Sequence, residues 1–224
     1  MNDVITDKPN TTGAATVRVW DPFVRMFHWS LVVAYFVAFF TEDDLMTVHV
    51  WAGYVVGGLV LLRILWGFVG TKHARFSNFA YGPVAGLRYL FALLTFRAER
   101  HIGHSPAGAV MVYALLVCLV LAVATGLLAY GAEKKGPLAP LFAADAPAIV
   151  LMVPAARADD DDGNDRNERS GRRKREDSFW EEVHEVFANL TLLLVLLHIG
   201  GVVLASLVHR ENLARAMITG RKRP

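Results

Sequence analysis

Four long apolar runs dominate the pattern of hydrophobic and polar positions along the chain. Each has about twenty residues or more, which is enough for a helix to cross the hydrocarbon core of a bilayer. The polar residues are clumped between the runs. The pattern therefore predicts an all-α membrane protein, a bundle of four transmembrane helices. The four predicted spans cover residues 21–40, 47–69, 106–130 and 179–208.

The connecting segments have distinct compositions. Residues 1–20 lack the apolar stretch of a cleavable signal peptide, so we expect the first span to act as its own insertion signal. Spans 1 to 3 occupy 21–130, with a basic loop at 70–104. A charged loop at 131–178 precedes the fourth span, and 209–224 form a basic tail. We expect the loop to be partly disordered, with a mobile part at about 155–177 that is too polar to bury a core.

Charge sets the expected orientation. The 70–104 loop carries five Lys or Arg residues against one acid, Glu99, and the tail carries five against Glu211. The short loop between the first two spans has only acids, at 42–44. Lys and Arg accumulate in cytoplasmic loops, which predicts an N-in/C-in chain with the 131–178 loop in the periplasm. The basic residues of that loop do not contradict this orientation, because long loops cross largely regardless of charge.

Composition removes several classes of protein. Hydrophobic residues make up 54% of the chain and charged residues 20%, below the roughly 25% of soluble domains. An ordinary soluble enzyme is therefore excluded. The single cysteine, Cys118, excludes a disulfide framework, a Cys-based zinc site and a covalently attached c-type haem.

Four of the eight histidines lie within the predicted spans. Ionisable residues in transmembrane segments are costly and usually mark a functional site. His184 and His198 lie on one face of the fourth span, about 40° apart around the axis and about 21 Å apart along it. One is then near the outer surface and the other below the midplane. Depth predicts the pairs His49/His184 and His28/His198.

Two facing imidazoles at each level suit a metal whose other four ligands are already supplied. Iron porphyrin is such a metal, so the pattern predicts two non-covalent b haems enclosed by the bundle. Zinc requires three or four protein ligands, which the pairs do not provide. The alternative is that the histidines are unrelated packing or interface residues.

Two arginines are candidates for binding the haem propionates, and two further histidines are candidates for a metal pair. Arg63 shares the face of His49 at the inner depth, and either binds a haem propionate or extends to the inner surface. Arg25 is a weaker propionate candidate, for which extension to the inner surface or a role in setting orientation is favoured. His101 and His104 lie in a polar turn, where a solvated or capping role is favoured over a metal pair.

The motifs resemble the bacterial cytochrome b561 and nickel-hydrogenase b-type cytochrome subunit family. The resemblance rests on Arg25-Met26-Phe27-His28-Trp29, on Val48-His49-Val50-Trp51-Ala52-Gly53-Tyr54, on Leu62-Arg63-Ile64-Leu65-Trp66-Gly67, on Gly103-His104-Ser105-Pro106-Ala107-Gly108, and on His184 with His198-Ile199-Gly200. It implies a membrane cytochrome of the bacterial inner membrane that moves electrons between quinone and a redox partner. The four histidines match the family's axial ligands, and the 131–178 loop is longer than is usual in the family.

The leading hypothesis is therefore a di-haem electron carrier across the membrane. Its expected partners are lipid, quinone or quinol, and a periplasmic or peripheral redox protein such as a c-type cytochrome or a hydrogenase; no nucleic acid is expected. One alternative is a stand-alone superoxide:quinone oxidoreductase. The other, a histidine-lined metal-ion transporter, is less favoured because the cores of the spans carry no Asp or Glu.

Overall fold

The computed structural model describes residues 16–42, 44–142 and 165–223, with the side chains of 165–178 excluded. Within these ranges the chain is mostly helical. Two 3-10 turns lie at Phe76–Asn78 and Ala139–Phe142. The helices are α1 (Pro22–Phe40), α2 (Met46–Val69), α3 (Pro83–Leu94), α4 (Pro106–Ala132), α5 (Asp165–Val208) and α6 (Leu213–Thr219), and the two short strands are β1 (Val17–Arg18) and β2 (Arg221–Lys222).

Four of the helices described are long and apolar enough to cross a membrane: α1, α2, α4 and the Phe179–Val208 part of α5. The predicted all-α membrane bundle is confirmed. The helix that contains the fourth span, α5, begins earlier than expected, at Asp165. Of the segment predicted to be mobile, 155–164 lie outside the described residues and the backbone of 165–177 is helical.

Local signals explain where two of the spans begin. The Asp21 carboxylate accepts a hydrogen bond from the Val24 N–H at 2.8 Å, and Pro22 occupies the first turn of α1. The Ser105 hydroxyl accepts one from the Gly108 N–H at 3.2 Å ahead of Pro106 in α4. Each cap satisfies an N–H that the helix itself leaves unpaired, and proline lacks the N–H that would otherwise need a partner.

The spans pack as two helical hairpins. The most extensive packing joins α1 to α2 and α4 to α5, and α2 also packs on α4. In the described part of the chain, α5 has few contacts with α1 or α2. The interface between α5 and these two helices is where the span histidines lie. The buried apolar cluster lies where α1, α2 and α4 meet and consists of Ala34, Val56, Val60, Leu116 and Leu119.

A shorter helix, α3, lies in the basic segment between the second and third spans. Leu93 is buried against the bundle, whereas Leu87, Leu90 and Leu94 are exposed. The leucines of α3 thus divide between a protein-facing and an outward-facing side. The outward-facing leucines suit a helix lying at the membrane surface.

Both ends of the described chain meet at one end of the bundle. β1 and β2 pair in antiparallel register, with Val17 opposite Lys222. Gly220 adopts a left-handed conformation (φ 77°) that ends α6, and its carbonyl accepts from the Val19 N–H at 2.8 Å. The two termini therefore lie on the same side, which is the arrangement that the charge pattern predicts. We call this end the inner end.

Candidate haem sites

The histidine pair near the opposite, outer end joins α2 to α5. The ring centres of His49 and His184 are 5.9 Å apart, and the ring planes make an angle of 84°. His49 lies in the first turn of α2. His184 lies at the outer end of the apolar part of α5. The pair is partly buried between the two helices.

The second pair joins α1 to α5 nearer the inner end. The ring centres of His28 and His198 are 6.4 Å apart, with an angle of 55° between the planes. Trp29 lies edge-on to the His28 ring at 5.1 Å. The structure thus brings the four span histidines together as two facing pairs, at the two depths that their spacing along the spans predicts.

Both separations suit two imidazoles on one metal. A metal–imidazole bond is about 2.0–2.1 Å long and the ring centre lies about 1.2 Å behind the nitrogen, so two rings in line on one metal have centres about 6.4–6.6 Å apart. The inner pair, at 6.4 Å, reaches this value, and the outer pair, at 5.9 Å, is shorter by roughly half an ångström. No group of three or more His, Cys, Asp or Glu residues that could hold a metal occurs among the residues described. A metal that brings four equatorial ligands of its own fits the pairs, and iron porphyrin is such a metal.

Hydrogen bonds orient both outer imidazoles. His49 Nδ1 is 2.9 Å from the main-chain oxygen of Ala38 in α1, and His184 Nδ1 is 2.9 Å from that of Ala122 in α4. A carbonyl oxygen only accepts, so each Nδ1 carries the proton and donates it. Each Nε2 then keeps its lone pair for a metal, because the bond at one ring nitrogen sets the role of the other.

The inner pair has a different environment. His28 Nδ1 is buried, and it has no hydrogen-bond partner among the described residues. A buried ring nitrogen without a partner costs free energy. At this position either ring nitrogen remains available to a ligand that the protein itself does not supply.

Arg63 is buried near the inner end, with 4% of its surface exposed. One guanidinium nitrogen donates to the Ala74 carbonyl at 3.3 Å, and the group lies over the Phe76 ring at 5.1 Å. Its Nη1 atom is buried without a partner in the described part of the chain, and the same is true of Arg25 Nε. The possibility that Arg63 extends to solvent at the inner surface is therefore wrong, because the 70–82 segment covers it. Buried guanidinium groups with unpaired N–H donors are suited to an anionic ligand.

A polar network closes the inner end around Asp21. Its carboxylate accepts from the Thr71 hydroxyl at 2.6 Å and from the Trp66 indole N–H at 3.2 Å. Burial alone would raise the pKa of Asp21, but the hydrogen bonds from Thr71, Val24 and Trp66 together lower it below 3.8. The network ties the start of α1 to the end of α2 and keeps a negative charge beside the buried arginines.

His104 is not a solvated turn residue. Its ring stacks on Phe79 at 4.1 Å between centres and meets Trp20 edge-on at 4.8 Å. Burial and the nearby positive charges of Arg63 and Lys222 lower the pKa of His104 to about 3, so the ring is neutral. The helix cap that was also considered for this turn comes from Ser105. His101 instead lies 3.1 Å from the Glu99 carbonyl through Nδ1.

Several glycines border the candidate sites. A side chain added at Gly53, Gly58, Gly200 or Gly201 would meet no other atom within 4 Å, which leaves room for a flat ring along α2 and α5. Gly57, in contrast, packs against Val123 of α4, where an added Cβ would lie 3.0 Å from a methyl group. Gly57 therefore allows α2 and α4 to pack closely and does not leave space for a ligand.

Three features of the sites escaped the sequence argument. These are the Ala38 and Ala122 carbonyls, the place of Gly126 beside His184, and the Asp21 network. Every residue has a main-chain carbonyl, so no residue type in the sequence marks these two. The only signal for Gly126 is that it is a lone glycine in an apolar span, one helical turn after Ala122.

The sequence matches the family model described as prokaryotic cytochrome b561 over residues 19–220. The chain belongs to the prokaryotic cytochrome b561 family. No curated protein and no solved structure matches it significantly. Membership in this family, together with the four apolar helices, makes the chain a multi-pass bacterial membrane protein, a b-type cytochrome of electron transfer that sits in the lipid bilayer. The family resemblance drawn from the motifs is confirmed.

Proposed function

We propose that this cytochrome carries two non-covalent b haems and conducts electrons across the bacterial inner membrane, between a redox partner in the periplasm and the quinone pool. The outer haem would lie between His49 and His184, and the inner haem between His28 and His198. The observation that carries the proposal is the meeting of the four span histidines as two facing pairs, 5.9 and 6.4 Å between ring centres. Family membership supports b haem as the cofactor.

A bound haem supplies a one-electron carrier at each level. The two histidines at each level would hold the iron from both sides and leave no open position, an arrangement that favours electron transfer over binding of oxygen at the iron. His184 and His198 also fix the spacing of the two levels, because fourteen positions (184 to 198) along one helix separate them by about 21 Å. α5 thus contributes one ligand to each level, and α1 and α2 contribute the other two.

Arg63 and Arg25 are the residues we assign to the propionates of the inner haem. Each keeps a buried guanidinium nitrogen without a partner among the described residues. Charge-assisted hydrogen bonds to carboxylates would satisfy these donors and offset the cost of burying the charges. Asp21, the nearby carboxylate, is already engaged by Thr71 and Trp66.

We place exchange with quinone at the inner end. Phe76, Phe79 and Tyr113 form an aromatic cluster there, with ring centres 5.6–5.9 Å apart, beside Arg63. Two one-electron donors are oxidised outside for each quinone that takes up two electrons and two protons and leaves as quinol.

Neither the superoxide:quinone oxidoreductase nor the metal-ion transporter gains support from the structure. An oxidoreductase that takes electrons from superoxide needs basic side chains at the outer surface to attract the anion, but Lys135 there forms an ion pair with Glu133 at 2.8 Å. The side chains of the basic stretch at 172–175 lie outside the part described. For transport, two-histidine pairs on separate levels do not form a continuous ligand path.

Electron transfer between two impermeant reagents tests the proposal. Proteoliposomes containing trapped ferricyanide receive external hexaammineruthenium(II), and each ruthenium complex oxidised gives one electron to one ferricyanide. We expect the haem-loaded chain to reduce the trapped ferricyanide, and His49→Ala to slow this at least about tenfold. His101→Ala, a histidine substitution outside both pairs, is the matched control and keeps the wild-type rate.

The same vesicles test the acceptor. With a membrane-soluble quinone in place of ferricyanide, one quinol should form for every two ruthenium complexes oxidised. Wild-type rates no faster than those of protein-free vesicles would contradict the transmembrane path, and so would a His49→Ala rate equal to the wild-type rate. Ferricyanide reduction without quinol formation would retain the path and exclude quinone as the acceptor.

A further inference from the structure

α4 carries no histidine, yet it makes the closest contacts with one of the candidate axial ligands. His184 Nδ1 lies 2.9 Å from the Ala122 carbonyl oxygen. A Cβ added at Gly126 would lie 2.9 Å from Cε1 and 3.1 Å from Nδ1 of the same ring. Positions 122 and 126 are one turn apart on the same face of the helix. The Nδ1–Cε1 edge of the imidazole therefore lies against a stretch of α4 backbone that only a glycine leaves open.

The neighbouring hydroxyl does not replace this contact. Thr125 Oγ1 is 3.5 Å from His184 Nδ1, which is much longer than the 2.9 Å to the Ala122 oxygen, and the hydroxyl donates its own proton within α4, to the carbonyls of Leu121 at 2.7 Å and Ala122 at 3.1 Å. Ala122 is thus the acceptor that fixes the imidazole. Other glycines of α4 adjoin different groups, since Gly108 faces the Ser105 hydroxyl and Gly131 faces Leu138 and Phe142.

We infer that Gly126 is a positioning residue for the outer haem. It lets the His184 imidazole reach the Ala122 carbonyl, which holds Nδ1 as the donor and directs Nε2 towards the partner imidazole of His49. This inference rests on the proposed function, because the ring is positioned for a haem iron. A carbonyl bonded to the far nitrogen also makes a metal-bound imidazole more basic, which favours the oxidised metal.

A methyl group at this position should disturb the site and leave the fold intact. Alanine favours a helix more than glycine does, so the backbone of α4 gains stability from Gly126→Ala. The imidazole can rotate away from the new methyl group about its own side-chain bonds. In doing so it loses the Ala122 carbonyl and its alignment with His49, so the cost falls on haem binding.

The test compares haem content and redox titrations of the purified full chain as wild type, Gly126→Ala and Ala124→Val. Ala124 is exposed on the same helix, so its variant adds volume to α4 away from His184. We expect Gly126→Ala to fall from about two haems per chain to about one, or to keep both with the outer midpoint potential raised. We expect Ala124→Val to match the wild type. The inner haem reports on folding within the same molecule.

A His28→Ala background removes the inner haem and isolates the outer one for the same comparison. Gly126→Ala with two haems at wild-type potentials would overturn the inference, and so would loss of both haems together, because the methyl group acts only at the outer level. A wild-type chain that binds no haem would instead reject the proposed function. The two failures are therefore distinguishable.

Discussion

At the outer pair each imidazole is fixed by a main-chain carbonyl of a neighbouring helix, whereas at the inner pair His28 Nδ1 is buried without a partner in the described chain. The surroundings differ as well, since two buried arginines lie towards the inner end. A bond at the far nitrogen makes a metal-bound imidazole a stronger donor and favours the oxidised metal, while nearby positive charge favours the reduced one. If each pair holds a haem, as we propose, the comparison teaches that one bundle would give its two haems different affinities for an electron.

We therefore expect the outer haem to have the lower midpoint potential and the inner haem the higher one. Electrons entering from outside would then move to lower energy towards the inner end.

Removing one ligand of each pair should have the largest effect. His184→Ala is expected to leave about one haem per chain, with the potential of the inner site, and His28→Ala about one haem with the potential of the outer site. A histidine at one level does not contact the other level, so each loss should be confined to its own pair. Haem content and redox titration of the two single variants measure this. Loss of both haems in either variant would show that the levels are not independent.

Removing the buried charge at Arg63 should have the next largest effect. Arg63→Met is expected to lower the inner midpoint potential by on the order of 60 mV, a tenfold change for one electron, and to leave the outer potential unchanged. Arg88→Met, at an exposed arginine of α3, is the matched control. Redox titration of both variants checks this.

The haem-free proteins provide a second readout for Arg63. If an anion normally occupies the site, then Arg63→Met should weaken the inner haem's retention while it stabilises the haem-free chain, which no longer buries an uncompensated charge. If the inner midpoint potential of Arg63→Met equals that of the wild type, Arg63 does not act on the inner haem.

Asp21→Asn should have the smallest effect. The amide keeps the helix cap but presents an N–H to the Thr71 or Trp66 donor, so we expect unfolding free energy to fall by about 1–2 kcal/mol. Since the folded pKa of Asp21 is lowered below 3.8, its contribution is fully present above pH 3.8 and is lost as the pH falls through the folded value. Denaturation in detergent at several pH values measures this.

The difference between wild type and Asp21→Asn should therefore shrink in acid below pH 3.8. Glu42→Gln, an exposed carboxylate at the outer end of α1, is the control and should change stability little. On warming, Asp21→Asn should release the inner haem before the outer one. Release of the outer haem first would show that the Asp21 network does not stabilise the inner haem site.

Much of the fold was accessible from the sequence because the bilayer constrains it strongly. Apolar length gave the spans to within two residues at most ends, and Pro22 and Pro106 marked two of the starts. The pairing of histidines by depth followed from helix geometry alone. The early start of α5 was not predicted, because a charged segment has no bilayer constraint to fix its structure.

The details of the sites depend on tertiary contacts that residue types do not encode. The carbonyl of Ala122 is a main-chain group, and any residue at 122 would provide it. His104 reads as a polar turn residue until Phe79 and Trp20, distant in sequence, pack around it. The burial of Arg63 likewise depends on how the segment after α2 folds back over it.

The haem content of the purified wild-type chain tests the central claim most directly. A pyridine haemochrome spectrum referred to protein concentration should give about two b haems per chain, one for each histidine pair. A stoichiometry of one would leave one of the pairs without the role assigned to it. A chain that binds no haem, although folded and in detergent, would contradict the account as a whole.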